Sequence, residues 1–121
     1  LEVEWMRSDL YTELDATKKF DLLVSNPPYI RTSEIENLMP EVKEYEPYMA
    51  LDGREDGLFF YRELLKGAPA YLNREAVVLF EIGCDQGVDV SDLMKRMNMI
   101  EVQIIKDYAG LDRVVSGVFL E

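Results

Sequence analysis

Residues 20–29 read FDLLVSNPPY, an apolar run that passes directly into two consecutive prolines. The first six, Phe20 to Ser25, have the apolar density of a buried β-strand. Each proline holds its φ angle at about −65° and lacks an N–H, so neither Pro27 nor Pro28 can continue a sheet ladder. The stretch therefore predicts a strand that ends in a stiff corner, Asn26 to Tyr29. In open α/β sheets, the carboxyl edge of the strands is where ligands bind.

Length and composition bound the class of protein. The chain has 121 residues, 48% of them apolar and 11% aromatic, enough for one small domain with a hydrophobic core. No apolar run approaches the roughly 20 residues of a membrane span, so we expect no membrane association. The single cysteine, Cys84, is typical of a cytoplasmic protein, and we predict that it is a small buried residue.

Histidine content and charge restrict the chemistry. The chain has no histidine, which excludes histidine triads and histidine metal sites, and we predict no metal site. Its formal net charge is −11, and the basic residues do not cluster along the chain. Both features disfavour direct binding to a nucleic-acid backbone.

The hydrophobic patterns predict strands that alternate with helices, which implies a mostly parallel α/β sheet. We expect Asp56 to cap the long helix, Pro69 to kink or end it, residues 41–57 to be irregular, and the strand from Ala76 to be covered on both faces. Ser33 and Glu36 fit a capping box. The predicted strands are Leu1 to Trp5, Phe20 to Ser25, Ala76 to Ile82, Glu101 to Lys106 and Arg113 to Leu120; the predicted helices are Glu34 to Met39, a long helix with apolar residues from Leu58 to Leu72, and Val88 to Met97. The last two strands are close enough in sequence to pair antiparallel.

The corner after the second strand has the groups needed to hold an NH₂ group. The Asn26 side chain offers an acceptor, and the Pro27 carbonyl offers a second acceptor in a fixed place. Two acceptors that bind both hydrogens orient the nitrogen lone pair for attack on an activated methyl group. Tyr29 supplies a flat face for a planar amide or a base. The alternative is that two prolines after a strand form only a turn.

The stretch Val24 to Ile30 resembles the amino-group branch of the class I S-adenosylmethionine-dependent methyltransferases. Further motifs, spread over essentially the whole chain, narrow the resemblance to the HemK-type peptide chain release factor glutamine methyltransferases. These motifs are Glu46-Pro47 with Ala50-Leu51, Asp56-Gly57-Leu58, Tyr61-Arg62, Phe80-Glu81-Ile82-Gly83, Gln86-Gly87, Asp107-Tyr108-Ala109-Gly110 and Asp112-Arg113-Val114-Val115.

The resemblance implies methyl transfer from S-adenosylmethionine to the glutamine side chain of the Gly-Gly-Gln loop in release factors. By resemblance, Asn26, Pro27, Pro28 and Tyr29 form the catalytic and substrate-binding site. Asn26, Asp9 and Leu10 would contact the methyl donor, although Asp9 can equally be a helix cap. Glu46 and Glu81 are predicted to be structural or to support the site residues rather than to be catalytic, and Asp112 with Arg113 to form a turn.

The resemblance also implies that residues 1–121 are the carboxyl-terminal portion of a catalytic domain, with the third to seventh strands of a Rossmann-like sheet. In the family sheet the fourth strand lies between the first and fifth, and the seventh between the fifth and sixth. The chain shows no Gly-x-Gly-x-Gly loop and no amino-terminal helical region. We therefore expect weak or no binding of S-adenosylmethionine by this chain alone. We also expect Phe20 to Ser25 to form an open edge through which the chain forms a homo-oligomer.

The sequence departs from the family pattern in two loops. Arg54 follows Gly53 where the family has a second glycine, and Asn73 to Glu75 replaces a Pro-Gly turn. Two alternatives stay open. One is an amino-methyltransferase of nucleic acid, acting on adenine-N6 or guanine-N2, because those enzymes share the corner. The other is a non-catalytic fragment.

Overall fold

The computed structural model describes residues 2–35, 37 and 48–120. Its helices are α1 (Thr32–Ile35), α2 (Tyr48–Leu51), α3 (Phe59–Tyr71) and α4 (Gly87–Arg96), and its strands are β1 (Phe20–Ser25), β2 (Leu72–Glu81), β3 (Ile100–Lys106) and β4 (Asp112–Val118). Within these described ranges, no helix has the length and apolar character needed to cross a membrane.

The four strands form one sheet in the order β1-β2-β4-β3. β1 pairs parallel with β2, whereas β4 pairs antiparallel with both β2 and β3. Hence β1, β2 and β3 point the same way, and the segments after Ser25, Glu81 and Lys106 lie at one edge of the sheet. The predicted α/β fold with an antiparallel last strand is confirmed, in the strand order that the resemblance implies.

The core lies between the sheet and helices α3 and α4. Side chains of α3 and α4 form one buried cluster with alternate residues of β2, and Tyr61 packs edge-on against Phe80 with ring centroids 5.3 Å apart. Ala76, Val78 and Phe80 are buried, whereas Val77, between Ala76 and Val78, is exposed and Leu79, between Val78 and Phe80, is half-buried. The expectation that this strand is covered on both faces is therefore wrong for the described part of the chain. Packing by α3 and α4 buries alternate residues of a strand, which are those on one face.

The predicted strand from Leu1 to Trp5 does not form. Residues 2–8 have no regular structure, the Trp5 side chain is 90% exposed, and Leu1 lies outside the described residues. Alternation of apolar and acidic residues fits a strand, but a strand is stable only beside a partner. None of the four described strands pairs with this segment.

The boundary between α3 and β2 differs from the prediction. α3 continues through Pro69 to Tyr71, and β2 begins at Leu72 rather than at Ala76. Glu75 has φ +69°, and the register of β1 against β2 shifts beside it. Asn73 to Glu75, predicted as a loop, is therefore an irregular start of the strand, because one left-handed residue changes the register without breaking the pairing.

The start of α3 also differs. Leu58, not Asp56, is the N-cap residue, and no side chain caps the helix. The Asp56 carboxylate instead accepts a hydrogen bond from the Leu58 N–H at 2.9 Å and pairs with Arg62 at 2.7 Å. Asp56 thus orders the turn before the helix, and the Arg62 guanidinium lowers its pKa.

Three further expectations concern loops. The predicted helix from Glu34 begins at Thr32, and the structure describes it only to Ile35. The described residues do not include Glu36, the second residue of the predicted capping box, or residues 38–47, which contain Glu46. The stretch predicted to be irregular contains the short helix α2. Cys84 is exposed, not buried, because it lies in the turn after β2.

Replacing Glu75 by Gly is expected to raise the free energy of unfolding by up to about 1 kcal/mol. The left-handed conformation costs a residue with a side chain roughly 1–2 kcal/mol, and the freedom that glycine adds to the unfolded chain offsets part of that gain. Urea denaturation measures the change. Arg74→Gly is the control, because its φ is not positive and we expect it to destabilise the strand. Equal effects of the two substitutions would contradict the assignment of strain to Glu75.

Candidate active site at the carboxyl edge of the sheet

The Asn26 to Tyr29 corner leaves the sheet directly after β1. Pro27 is buried, Pro28 and Tyr29 are half-buried, and Asn26 is exposed. Beyond the corner, the Ile30 N–H donates to the Leu51 carbonyl at 3.0 Å, and the Gly53 N–H donates to the Ile30 carbonyl at 2.7 Å. The corner is therefore held at both ends, by β1 and by a short parallel bridge between Ile30 and Asp52.

Two glycines let the chain pass close to Tyr29. A Cβ atom on Gly53 would lie 2.8 Å from the Tyr29 Cα, and one on Gly57 would lie 2.6 Å from the Tyr29 carbonyl oxygen. Gly57 also has φ +76°, in the left-handed region that favours glycine. Residues 53–57 therefore form a backbone wall against the corner.

Gln86 joins this wall to the corner. Its Nε2 donates to the carbonyls of Tyr29 at 2.9 Å and Gly57 at 3.2 Å, and its Oε1 accepts from the Gly83 N–H at 2.9 Å. The side chain is 3% exposed. The sequence showed Gln86 only as part of a family motif, because backbone partners at distant positions leave no pattern in the sequence.

A cavity of about 300 Å³ opens beside the corner. Its walls come from the corner itself and from the end of α2: Asn26, Pro27, Tyr29, Ile30, Ala50 and Leu51. Asn26 is the only one of these residues with a side-chain amide, and the rest of the wall is apolar apart from the Tyr29 hydroxyl and backbone groups. The arrangement suits a small planar group with polar hydrogens.

Tyr61 supports the corner from the core side. It is fully buried, and its hydroxyl donates to the Glu81 carbonyl at 2.6 Å. Burial, with smaller contributions from Tyr29 and Glu81, raises the pKa of Tyr61 far above its usual value. Tyr61 thus stays a neutral donor and fixes the end of β2. The prediction that Glu81 is structural concerns its side chain, whereas the observed contact is to its backbone carbonyl.

Asp107 and Arg113 organise the loop between β3 and β4 at the same edge. Asp107 accepts hydrogen bonds from the Ala109 and Leu111 N–H groups at 2.9 and 3.1 Å, and from Arg113 Nε at 3.3 Å. The hydrogen bond from Leu111, together with Arg113, lowers the pKa of Asp107. Arg113 also donates to the Ile82 carbonyl at 3.2 Å. The pair Asp112 and Arg113, predicted as a turn, begins β4 instead.

Asp9 and Leu10 lie apart from the corner. Asp9 is exposed and lines a second cavity, of about 610 Å³, together with Arg7, Ser8, Thr12, Glu13, Arg54 and Phe60. Only turns follow Asp9, so it does not cap a helix. Leu10 is half-buried, with φ +55°. The structure therefore brings Asn26 to Tyr29 together, but the cavities of Asp9 and Asn26 share none of the residues named as their walls.

Tyr11 anchors the segment that carries Asp9. Its hydroxyl donates to the Leu64 carbonyl at 2.7 Å, and its ring stacks on Tyr71 with centroids 4.7 Å apart. A Cβ atom on Gly67 would lie 2.6 Å from the Tyr11 ring, so α3 needs a glycine there. Burial, and then the neighbouring Tyr71, raises the pKa of Tyr11 to about 12.

Comparison with known proteins shows which family this chain is similar to. A release factor glutamine methyltransferase of Clostridium botulinum is 48% identical over 116 residues, which are 95% of this chain and 41% of the relative. This chain is a relative of the release factor glutamine methyltransferases. The release factor glutamine methyltransferase of Fusobacterium nucleatum is 49% identical over 113 residues, which are 93% of this chain and 32% of the relative. The resemblance drawn from the motifs is confirmed.

A solved structure supports the same relationship. The protein-(glutamine-N5) methyltransferase (release factor-specific) of Alicyclobacillus acidocaldarius matches with a TM-score of 0.52 and 26% identity. The match covers 85% of this chain and 50% of that one. No family model matches the chain. The chain thus spans about a third to two fifths of the length of the curated release factor glutamine methyltransferases described above.

Proposed function

We propose that the chain is the carboxyl-terminal portion of the catalytic domain of a release factor glutamine methyltransferase. The reaction is transfer of a methyl group from S-adenosylmethionine to the side-chain amide of the glutamine in the release factor's Gly-Gly-Gln loop. The observation that carries the proposal is the Asn26 to Tyr29 corner, held by Gln86 beside a cavity of about 300 Å³. Sequence identity of 48–49% to enzymes named for this activity supports it.

The proposed role of the corner follows from its acceptors. The Asn26 side-chain oxygen and the Pro27 carbonyl accept the two hydrogens of the substrate amide, which leaves the nitrogen lone pair free to attack. Tyr29 packs against the plane of that amide. Pro28 keeps Pro27 extended and so keeps its carbonyl in place. As the N–C bond forms, the S–CH₃ bond of the donor breaks and the donor leaves as a neutral thioether. The N-methylated amide is then a cation acidic enough to give one N–H proton to water, so no strong base takes part, in agreement with a chain that has no histidine.

The methyl donor fits the chain only in part. S-adenosylmethionine supplies a methyl group on a sulfonium, a good leaving group. Asn26 lines the corner cavity, but Asp9 lines a separate one, and Leu10 packs against the core. The three residues implied for the donor do not enclose one site in the described part of the chain. We therefore propose that this chain alone binds the donor weakly or not at all.

Calorimetry tests the donor proposal. Titration of S-adenosylmethionine, or of its demethylated product, into the 121-residue chain is expected to give no saturable heat. Dissociation constants in the micromolar range would show that the chain holds a complete donor site. The same titration into the protein expressed from the complete reading frame serves as the positive control.

The runner-up is an amino-methyltransferase of nucleic acid, because the corner alone does not distinguish a glutamine amide from a base. The net charge of −11 and the identity to release factor enzymes both favour the protein substrate. An assay with labelled methyl donor, a release factor, and DNA or RNA separates the two. Label on the nucleic acid but not on the release factor would reverse the choice. Label on neither would favour a non-catalytic chain.

We also propose that the open edge of β1 associates with a second copy of the isolated chain. β1 pairs with β2 on one side only among the described strands, and Leu22 and Val24 are 55% and 65% exposed. Unpaired strand edges with exposed apolar side chains favour pairing between chains.

Light scattering at tens of micromolar is expected to show a dimer or larger species of the isolated chain. Val24→Lys is expected to shift it toward monomer, because a charge on the edge opposes pairing. Val88→Lys is the matched control, since Val88 is equally exposed but lies on α4. A strictly monomeric mass for the unmodified chain would refute the proposal.

A further inference from the structure

We infer that Gln86 is a positioning residue for methyl transfer, acting through the Tyr29 carbonyl on the Asn26 to Tyr29 corner. This inference rests on the function proposed above. Gln86 lines no part of the corner cavity, so its effect on the reaction would pass through the backbone that it holds.

The Gln86 side chain uses its whole hydrogen-bonding capacity except one lone pair. A carboxamide has two donor hydrogens, and these go to the carbonyls of Tyr29 and Gly57. Its oxygen accepts from the Gly83 N–H. At 3% exposure there is no bulk water to replace a lost partner. Removal of the amide therefore takes from two carbonyls and one N–H the side-chain partner that they have among the described residues.

The three partners belong to three separate segments of the chain. Tyr29 ends the corner, Gly57 belongs to the wall before α3, and Gly83 begins the turn after β2. Gln86 is thus the side chain that fixes the distance between the corner and its two neighbours. The Tyr29 ring also lies beside Gly83, where a Cβ atom would be 3.3 Å from it.

The corner depends on such an external tie because it has few hydrogen bonds of its own. Pro27 and Pro28 have no N–H, and among the described residues the first backbone N–H after them with a backbone partner is that of Ile30. Without Gln86, the peptide between Tyr29 and Ile30 keeps the hydrogen bond from the Ile30 N–H to Leu51 but loses the one to its carbonyl oxygen. The corner can then shift relative to Gly57 and Gly83, which displaces the Asn26 and Pro27 acceptors. Catalysis by orientation is sensitive to displacements of about 1 Å, which cost up to about 100-fold.

The structural part is tested on the 121-residue chain by amide hydrogen exchange. Gln86→Met has nearly the same shape but no polar group, and it is expected to speed exchange of the Gly83 N–H by about tenfold or more. Gln103→Met is the matched control, because Gln103 is exposed on β3, and it should leave Gly83 unchanged. Unchanged Gly83 exchange in Gln86→Met would overturn the inference.

The catalytic part is tested in the enzyme expressed from the complete reading frame, with a release factor as substrate. Gln86→Met is expected to lower kcat by about 10- to 100-fold and to leave KM for the methyl donor within about twofold. A purely structural role would lower the fraction of active enzyme, so each rate is normalised to folded protein measured by circular dichroism. A normalised kcat equal to that of the unmodified enzyme would overturn the inference.

Gln86→Glu keeps the test decisive if the Met variant does not fold. Glutamate retains the shape and the acceptor for Gly83, but it has at most one hydrogen for two carbonyls. Gly83 exchange should then stay within about threefold of the original value, while kcat falls by about tenfold. A fall in Gly83 protection without a fall in kcat would contradict positioning. Activity of the unmodified enzyme tests the proposed function, whereas the ratio of the variant rate to the unmodified rate tests the role of Gln86.

Discussion

Replacement of Asn26 by Ala is expected to lower kcat for methyl transfer to a release factor by about 10²- to 10³-fold. Among the described residues that line the corner cavity, Asn26 alone carries a side-chain amide. Loss of one preorganised hydrogen-bonding group at a reacting centre has an effect of this size. Because Asn26 is exposed, the free energy of unfolding should change by less than about 0.5 kcal/mol.

Single-turnover rates in the enzyme from the complete reading frame measure this change. Asn26→Asp keeps an acceptor oxygen and removes the amide hydrogens, so it separates the two functions of the side chain. Gln103→Ala, which removes an exposed amide from β3, is the control and should retain the full rate. If Asn26→Ala keeps its rate within about twofold, the corner is a turn and not a substrate site.

Replacement of Gly57 by Ala is expected to lower the free energy of unfolding by about 2–5 kcal/mol. The left-handed φ of +76° costs an alanine roughly 1–2 kcal/mol. The new Cβ atom would also lie 2.6 Å from the Tyr29 carbonyl oxygen and 2.9 Å from Gln86 Nε2. Backbone shifts that relieve such contacts cost about 1–3 kcal/mol more.

Gly110→Ala separates these two contributions. Gly110 has φ +82°, close to that of Gly57, but a Cβ atom there would meet nothing within 4 Å. Gly110→Ala should therefore lose only the conformational part, about 1–2 kcal/mol. Urea denaturation of both variants measures the difference. Equal losses of unfolding free energy would mean that the close approach of Gly57 to Tyr29 adds no cost of its own.

Local pattern predicted much of the architecture. β1 has the expected bounds, and α4, β3 and β4 differ from their predictions by a few residues. All four have regular apolar patterns, and β1 ends before paired prolines and α4 before an asparagine, which are strong local signals. Asn98 illustrates this: with φ +61°, it ends α4 in a turn where the Met99 N–H donates to the Met94 carbonyl at 3.1 Å.

Three of the errors share one cause. The expected strand at Leu1 to Trp5, the expected cover on both faces of β2 and the buried Cys84 all depend on what lies beside a residue. Neighbours in space are set by the whole fold, and alternation along a short segment does not specify them. At the two loops that depart from the family's glycine pattern, Arg54 and Glu75 have positive φ angles. Glycine adopts this conformation readily, but neither arginine nor glutamate predicts it from the sequence.

The sequence by itself determined that a strand ends in the stiff corner Asn26 to Tyr29, because two prolines restrict the backbone wherever they occur. Its motifs also determined the kinship with release factor glutamine methyltransferases. Only the tertiary structure decided how the corner is held: by Gln86, Gly53 and Gly57, up to 57 residues away along the chain. It also decided that Asp9 faces a different cavity. Hydrogen bonds to backbone carbonyls and close approaches of glycine depend on position in space, which no local pattern of side chains encodes.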